Sequence, residues 1–277
     1  MKKIFNLLLM IVFLTSLLSS CKKDKGDPPT LPPAESFMMD FSNFEAGKKA
    51  ADEIILPKGI EDNYWEFAAV VAGYFQSLLI TTLAVPVASF NKALDQTPKY
   101  LEEKTWQWSY SITFLNITYK ARLTGEIRTT DVLWNMFITR EGTGGHAEFL
   151  WFDGTSKLDG TGGQWNLNHS FQHNEPLLKI EWTQSGNIVN YIKYTYVRTN
   201  DDDGDADPFN LSYIEYGKTT GIYNSYYNIS YFNGLTFSLV NVEWNSVSHI
   251  GRVKCLPFFS DNIWHCWDGA LANTTCP

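Results

Sequence analysis

The residues best suited to chemistry lie in an acidic segment of the second half of the chain. Residues 200–208 read NDDDGDADP, with carboxylates at alternate positions around a glycine: Asp201, Asp203, Asp205 and Asp207. Closely spaced carboxylates repel one another and are relieved by a hard cation, and this spacing matches half of a calcium-binding loop. The glutamate that completes such a loop is missing, and acidic hairpin tips are often only solvated turns. Calcium is therefore a possible ligand here, with a soluble turn as the alternative.

Two histidine-containing segments could bind a metal or supply a nucleophile. His169 and His173 lie four residues apart with Glu175 close by, and on a helix this spacing would direct two imidazoles at zinc. The local pattern instead predicts a strand followed by a loop, so that geometry does not apply. His265 precedes Cys266, which suggests a Cys-His nucleophile, but the sequence offers no third residue to orient the histidine. We assign neither zinc nor catalysis to these residues.

Two glycine-rich segments could suggest phosphate binding. Both read Gly-Thr-Gly-Gly, at 142–145 and 160–163, and both lack the Gly-Lys-Ser/Thr ending of a phosphate-binding loop. Their composition is typical of hairpin turns. The sequence also contains neither Gly-x-Ser-x-Gly nor His-Glu-x-x-His, so no catalytic residue is predicted from motifs. Catalytic groups that meet only in the folded protein are not excluded by this.

The N-terminus has the features of an export signal. A basic start at residues 2 and 3 precedes an apolar run at 4–18, which is shorter than the roughly twenty helical residues needed to cross a bilayer. The run ends in Leu18-Ser19-Ser20-Cys21, which resembles the lipobox of bacterial lipoproteins. The resemblance implies that residues 1–20 are a signal peptide and that Cys21 is acylated. The alternative is an ordinary signal peptide with a chance cysteine.

The same resemblance implies a location. In such lipoproteins an aspartate directly after the acylated cysteine retains the protein at the inner membrane, whereas here Lys22 occupies that position. An outer-membrane lipoprotein is therefore implied, attached to the membrane through its lipid anchor. The protein could face either the periplasm or the cell surface.

Charge and cysteine content narrow the class of protein further. The chain has 22 basic and 30 acidic residues, and loss of the signal peptide removes two lysines, which leaves a net charge of −10. Such a surface repels nucleic acid, so we expect no nucleic-acid partner. After Cys21 only Cys255, Cys266 and Cys276 remain, so at most one bridge forms within the chain in an oxidising compartment. We expect it to join Cys255 to Cys266.

The mature chain divides into a tether and one domain. Residues 21–36 contain the acylated cysteine, several charges and four prolines, which is typical of a stiff polyproline-rich tether. The chain has 10 Trp, 14 Tyr and 18 Phe, and aromatic side chains favour half-buried strands. We therefore predict a single β-rich domain over residues 37–277.

One uncharged segment predicts a helix within this domain. Residues 67–90 contain no charged side chain, and Asn63 followed by Glu66 is typical of an N-terminal capping box. Length alone would permit a membrane span, but polar residues and Pro86 interrupt the segment, so we predict a core helix that is covered on all sides. Pro86 should open a second short helix, so that the helical segment covers about 63–95.

From residue 105 onward, apolar and polar side chains alternate. Trp106, Trp108 and Tyr110 alternate with Gln107 and Ser109, which predicts a strand with one apolar and one polar face. Strands are predicted at 105–114, 119–124, 132–138, 146–152, 164–170, 178–183, 188–197, 209–216, 222–232, 235–244 and 248–255. Ten or eleven strands with tight turns and no intervening helix indicate an antiparallel meander.

The predicted fold class follows from the length of this meander. A sheet of so many strands must curl, so we expect a mainly β protein whose long antiparallel meander forms a half-barrel or open barrel. The N-terminal apolar helix should pack on the concave face. This arrangement is similar to the LolA-like half-barrel carriers of the bacterial envelope, without a shared motif.

Three functions are compatible with this architecture. The first is a non-catalytic envelope lipoprotein that acts as a structural module or as a binding or carrier module for a hydrophobic ligand, such as an amphiphile, a lipid or a peptide. The second is a surface glycan-binding module that stacks sugars on exposed Trp and Tyr side chains. A weaker alternative is an envelope hydrolase whose residues cannot be named. A ligand-sized cavity favours the first function, and a patch of exposed aromatic rings favours the second.

Overall fold

The computed structural model describes residues 25–45 and 63–277. The predicted signal peptide, Cys21 and the first residues of the predicted tether lie outside these ranges. Within them, 14 antiparallel strands form one sheet, and a long helix packs on it. The expected mainly β fold, with a helix on a curled sheet, is confirmed.

The helices and strands follow one another along the chain with short connections. A 3₁₀ helix covers Ala34–Phe37, and the α-helices are α1 (Tyr64–Ala93) and α2 (Leu256–Phe259). The strands are β1 (Lys99–Tyr100), β2 (Thr105–Phe114), β3 (Ile117–Ile127), β4 (Asp131–Arg140), β5 (His146–Lys157), β6 (Gly162–Asn168), β7 (Pro176–Ser185), β8 (Ile188–Tyr196), β9 (Tyr213–Lys218), β10 (Ser225–Phe232), β11 (Phe237–Trp244), β12 (Gly251–Lys254), β13 (His265–Trp267) and β14 (Asn273–Thr274).

The sheet is a continuous meander. Each strand pairs with its neighbours in the chain, and β1 and β14 do not pair with each other within the described ranges, so the sheet is open. Successive strands run in opposite directions, so the sheet has two rims. The first rim is where β2, β4, β6, β8 and β10 end, and the second rim is where β3, β5, β7, β9 and β11 end. Three strands were not expected, because β1, β13 and β14 are too short to show an alternating pattern.

Tryptophans on the apolar face lie over glycines of the neighbouring strand. Trp134 is paired with Gly125, and a Cβ on that glycine would lie 2.6 Å from Cζ3 of the indole. Further pairs of this kind are Gly154 with Trp165, Gly163 with Trp182 and Gly251 with Trp267. A side chain at the glycine position would meet the ring, so glycine lets each indole approach the partner strand closely. These buried indoles form much of the wall of the hollow, which is the space on the concave face of the curled sheet.

Helix α1 begins as the sequence predicts and continues further than expected. The Oδ1 atom of Asn63 accepts a hydrogen bond of 3.0 Å from the Glu66 amide, which caps the helix. The helix then runs without a break to Ala93 with Pro86 inside it, so the expected second helix is wrong. Buried residues beyond the proline, Ser89 and Phe90, hold the continuation against the rest of the core. This packing offsets the roughly 3 kcal/mol that an internal proline costs.

The helix connects the two ends of the open sheet. It packs against β2 and β3 near one end and against β12 and β13 near the other. Phe67 stacks on Phe258 with ring centroids 4.1 Å apart, and the Tyr64 amide donates a 3.0 Å hydrogen bond to Asn273 Oδ1. Near the opposite end of the helix, the Tyr110 hydroxyl donates to the Ser89 carbonyl at 2.5 Å. The helix therefore contacts the strands at both ends of the open sheet.

The described part of the chain does not cover the middle of α1 on all sides, contrary to our expectation. Leu78 is 47% exposed and Ile80 is 54% exposed. Length and hydropathy would allow α1 to cross a membrane, but its other face packs on the sheet. The exposed stretch faces away from the core and borders the cavity described below.

The predicted tether is also partly wrong, because residues 25–45 pack into the hollow as an N-terminal strap. Pro29 and Pro32 are buried, and the Phe37 ring stacks on Trp165 with centroids 4.7 Å apart. Trp165 Nε1 donates to Ser36 Oγ at 3.1 Å, and the hydroxyl of Tyr194 donates to the Phe37 carbonyl at 2.9 Å. Proline-rich chain needs few partners for its amides and so suits a buried extended strap as well as a tether. Among residues 25–45 and 63–277, the hollow thus has two occupants, the strap and α1.

We predict that the strap is essential to stability. Phe37→Ala removes a ring that is 1% exposed and contacts Phe90, Phe152 and Trp165, so it should lower the free energy of unfolding by about 3–5 kcal/mol. Met38→Ala is the matched control, because Met38 is 48% exposed and its loss should cost less than about 0.5 kcal/mol. Urea denaturation of both variants measures the difference. Equal stability of the two variants would contradict the described packing of the strap.

Candidate functional site

The candidate site is a cavity of about 320 Å³ between the middle of α1 and the first rim of the sheet. Its residues come from α1, from the ends of β7 to β10 at this rim, and from the β8–β9 loop. They are Tyr74, Phe75, Leu78, Leu79, Thr82, Leu177, Leu178, Tyr194, Tyr196, Phe209, Ser212, Tyr213, Ile214, Tyr231 and Phe232. None of these 15 side chains is charged. The cavity therefore suits an apolar ligand or the apolar part of an amphiphile.

Helical and strand periodicity both contribute to this lining. Phe75, Leu79 and Thr82 lie on one stripe of α1 because residues three and four apart share a helix face. On the sheet side, Tyr194 and Ile214 are directly paired across β8 and β9 and are both buried. No residue of the strap and no tryptophan belongs to the lining.

Few polar groups face the cavity, and most of them are satisfied within the protein. Tyr196 donates from its hydroxyl to Asp207 Oδ2 at 2.7 Å, and Tyr194 donates to the strap. The Oγ of Ser212 is buried and has no hydrogen-bond partner among the described residues. A hydroxyl of this kind can bond to a ligand at little cost, because it has no internal partner to lose.

Burial keeps the cavity phenols neutral. Desolvation, together with the hydrogen bond to Asp207, raises the pKa of Tyr196 to about 12. Burial also raises the pKa of Tyr74, Tyr194 and Tyr231 above the usual value. These four phenols therefore stay uncharged well into the alkaline range.

The four aspartates of the calcium hypothesis do not converge on one point. Asp201 Oδ1 accepts hydrogen bonds from the Asp203 and Asp205 amides, at 3.0 and 2.9 Å, and so closes a turn. Asp207 instead bonds to Tyr196 and, through Oδ1, to the Phe209 amide at 2.9 Å. No group of three or more His, Cys, Asp or Glu side chains that could hold a metal is found in residues 25–45 and 63–277. The structure gives the calcium hypothesis no support.

The histidine pair lies near the acidic segment, and Arg198 forms ion pairs with carboxylates in the same region. The rings of His169 and His173 are 5.6 Å apart. Arg198 donates to Glu175 Oε1 at 2.9 Å and also pairs with Asp202, so it joins the β6–β7 and β8–β9 loops. Desolvation, with help from Arg198, lowers the pKa of His169. The arrangement is an ion-pair network.

The expected disulfide is wrong. The bridge joins Cys266 to Cys276, with Cα atoms 5.2 Å apart, and Cys255 is a buried free thiol. The strand register explains this outcome, because Cys266 lies opposite Arg252 in β12 and not opposite Cys255. An offset of three residues also places the two side chains on opposite faces of the sheet and roughly 10 Å apart along it, beyond the reach of a bridge.

Sequence reasoning missed the cavity residues. The uncharged stretch of α1 indicated a helix but not which of its faces is left without a partner. The tyrosines of β8 to β10 indicated strands but not a gap beside them. The Tyr-rich composition next to an uncharged helix was the available signal, and only the docking of the helix turns it into a site.

Comparison with known proteins gives no match: no family model, no curated protein and no solved structure is significantly similar to this chain. The likeness to LolA-like carriers therefore stays a prediction about architecture.

We predict that the protein loses stability between about pH 10 and pH 12. Tyrosines of the unfolded chain ionise near pH 10, whereas the folded state keeps Tyr196 protonated up to about 12. The raised folded pKa contributes stability that is complete below pH 10 and disappears as the pH rises through the folded value. Urea denaturation at pH 9, 10.5 and 11.5 measures this loss, and Tyr196→Phe should make it shallower. Phenol absorbance showing every tyrosine of the folded protein ionising near pH 10 would contradict the burial described here.

Proposed function

We propose that this protein is a non-catalytic lipoprotein of the bacterial outer membrane that binds a hydrophobic or amphiphilic ligand in the cavity between α1 and the first rim. Cys21 would carry the lipid anchor. The observation that carries the proposal is the uncharged cavity of about 320 Å³. This volume lies at the lower end of the range of small-molecule sites.

The exposed side of α1 supports a binding role. A helix whose only task is to fill the core normally carries polar residues where it meets water. Here the stretch beside the cavity carries Leu78 and Ile80, which are both about half exposed. Exposed apolar residues next to an apolar cavity are typical of a site that becomes covered when ligand binds.

The lining favours binding over catalysis. The 15 lining residues include no His, Cys, Asp, Glu, Lys or Arg, so the cavity itself contains no base to activate a hydroxyl nucleophile. The Ser212 hydroxyl has no partner among the described residues and so lacks the activating neighbour that a nucleophilic serine needs.

The glycan-binding alternative lacks a platform for stacking. All ten Trp and fourteen Tyr lie in the described ranges, and each of them is buried or only partly exposed. Sugar recognition by stacking needs an accessible ring face. The burial of these rings therefore favours an apolar ligand over a glycan.

We predict that filling the cavity abolishes ligand binding. The probe is N-phenyl-1-naphthylamine, an uncharged dye that fluoresces in apolar sites. Thr82 lines the cavity, so Thr82→Trp should weaken dye binding at least tenfold. Thr81→Trp is the matched control, because Thr81 is exposed, lies outside the lining and makes the same type of bond to the carbonyl four residues earlier. Both variants should keep their stability within about 1 kcal/mol.

Two results would contradict this proposal. The first is a wild-type protein that does not bind the dye. The second is a Thr82→Trp variant that binds it as tightly as the Thr81→Trp control.

We predict that membrane attachment depends on Cys21. In a diderm bacterium, the wild-type chain should sediment with outer membranes and carry acyl groups at Cys21 in mass spectrometry, and Cys21→Ser should lose both properties. Lys22→Asp is the matched control, because it should keep the acyl groups but move the protein to the inner membrane. An unmodified cysteine in the wild-type protein would contradict the proposed anchor.

A further inference from the structure

The cavity has an acidic hairpin at its mouth. Residues 199–207 fold back on themselves, with the Asp207 amide bonded to the Thr199 carbonyl at 2.9 Å and the Asp201 amide bonded to the Asp205 carbonyl at 2.8 Å. The hairpin starts just after Tyr196 and ends just before Phe209, which both line the cavity. It therefore stands directly beside the opening.

Asp207 connects this hairpin to the cavity wall. Its side chain is 8% exposed and bonds through one oxygen to the Tyr196 hydroxyl and through the other to the Phe209 amide. A carboxylate buried in this way fixes both wall residues. It also places a negative charge one hydrogen bond away from the lining.

The charges around the mouth do not cancel. The β8–β9 connection carries five carboxylates, Asp201, Asp202, Asp203, Asp205 and Asp207. Arg198 is paired with Asp202 and Glu175. Lys193 is paired with Glu215 and also lies 4.2 Å from the ring centre of Tyr213 in the lining. Asp203 and Asp205 are exposed and form no ion pair with any described residue. A negative potential therefore surrounds an uncharged opening.

We propose that the cavity binds a single-chain amphiphile with a cationic head group, whose tail fills the cavity and whose head lies against the hairpin. This inference rests on the proposed function and names the ligand class of the same site. At on the order of 30 Å³ for each chain carbon, close to the liquid volume of a water molecule, 320 Å³ holds a tail of about ten carbons.

Charge selects the head group, and the cavity selects the tail. The tail gains about fourfold in affinity for each methylene that it buries, whatever the head group is. A head group that lies against the hairpin would be next to several carboxylates, and charges at the protein surface act on one another over about 8 Å at physiological salt. A cationic head is attracted there, and an anionic head is repelled.

Three amphiphiles with the same ten-carbon tail test the proposal. Decyltrimethylammonium, decanol and decanoate are titrated into the soluble domain, residues 22–277, at pH 8 with displacement of N-phenyl-1-naphthylamine as the readout. At about 50 mM salt the cationic probe should bind at least tenfold more tightly than decanoate, with decanol between them. At about 500 mM salt the ratio should fall below about threefold, because the Debye length shortens.

A pair of double variants assigns the effect to the hairpin. Asp203→Asn with Asp205→Asn removes two charges that form no ion pair in the described structure, and it should reduce the cation-to-anion ratio at least threefold. Glu102→Gln with Glu103→Gln removes the same charge from exposed positions at the second rim and should leave the ratio within about 1.5-fold. This control separates the local hairpin from the net negative charge of the whole protein.

The possible outcomes distinguish the two proposals. Binding of none of the three probes and no binding of the dye would overturn the proposed function, and this inference with it. Binding of decanol and of the dye, with decanoate as tight as or tighter than the cationic probe, would overturn this inference alone. An equal loss of the ratio in both double variants would also overturn it.

Discussion

The close fit of indole rings onto glycines of the next strand is the constraint on which the rest of this structure depends. Four tryptophans lie over a glycine directly opposite in the register, and a Cβ at any of these glycines would meet the ring. Because glycine has no side chain to collide with the indole, large rings can lie close against the inner face of the curled sheet. The strap then packs its own ring onto this wall, as Phe37 does on Trp165.

The cavity lies where that wall ends. Towards β8 and β10 the inner face carries tyrosines, and their hydroxyls need partners. Tyr194 and Tyr227 find partners in the backbone of the strap, at the carbonyls of Phe37 and Asp40. Nearer the first rim the strap is absent, and Tyr196 bonds to a loop carboxylate instead. A hollow with two narrow occupants, α1 and the strap, leaves space where neither reaches.

Local signals in the sequence predicted much of the fold. The capping pair at Asn63 and Glu66 predicted the start of α1, and the imperfect alternation at 132–138 predicted β4. The predicted strand at 209–216 begins at Tyr213 instead, because Leu211 adopts a left-handed φ of 72° in a loop where apolar side chains are exposed. Apolar residues in loops mislead a pattern-based prediction, since alternation reports burial and not hydrogen bonding.

What the sequence did not predict depends on contacts between distant segments. The passage of α1 through Pro86, the burial of Ser36 and the pairing of Cys266 with Cys276 are each decided by residues far away in the chain. The cavity is the extreme case, because it is defined by side chains that fail to meet. No local pattern encodes a gap between a helix and four strand ends.

The course of the strap determines how the molecule would stand on a membrane. Lys25 lies 5.7 Å from the Tyr100 ring, and Pro29 lies beside Gly125, both near the second rim. Three residues lie between Cys21 and Lys25, and the four Cα–Cα steps span at most about 14 Å. An acyl group on Cys21 would therefore hold the second rim near the lipid surface. Strands of ten residues, about 33 Å long, would then raise the opening of the cavity to the far side of the molecule. With the proposed anchor on Cys21, a ligand would therefore reach the cavity from the aqueous side and not from the anchoring leaflet.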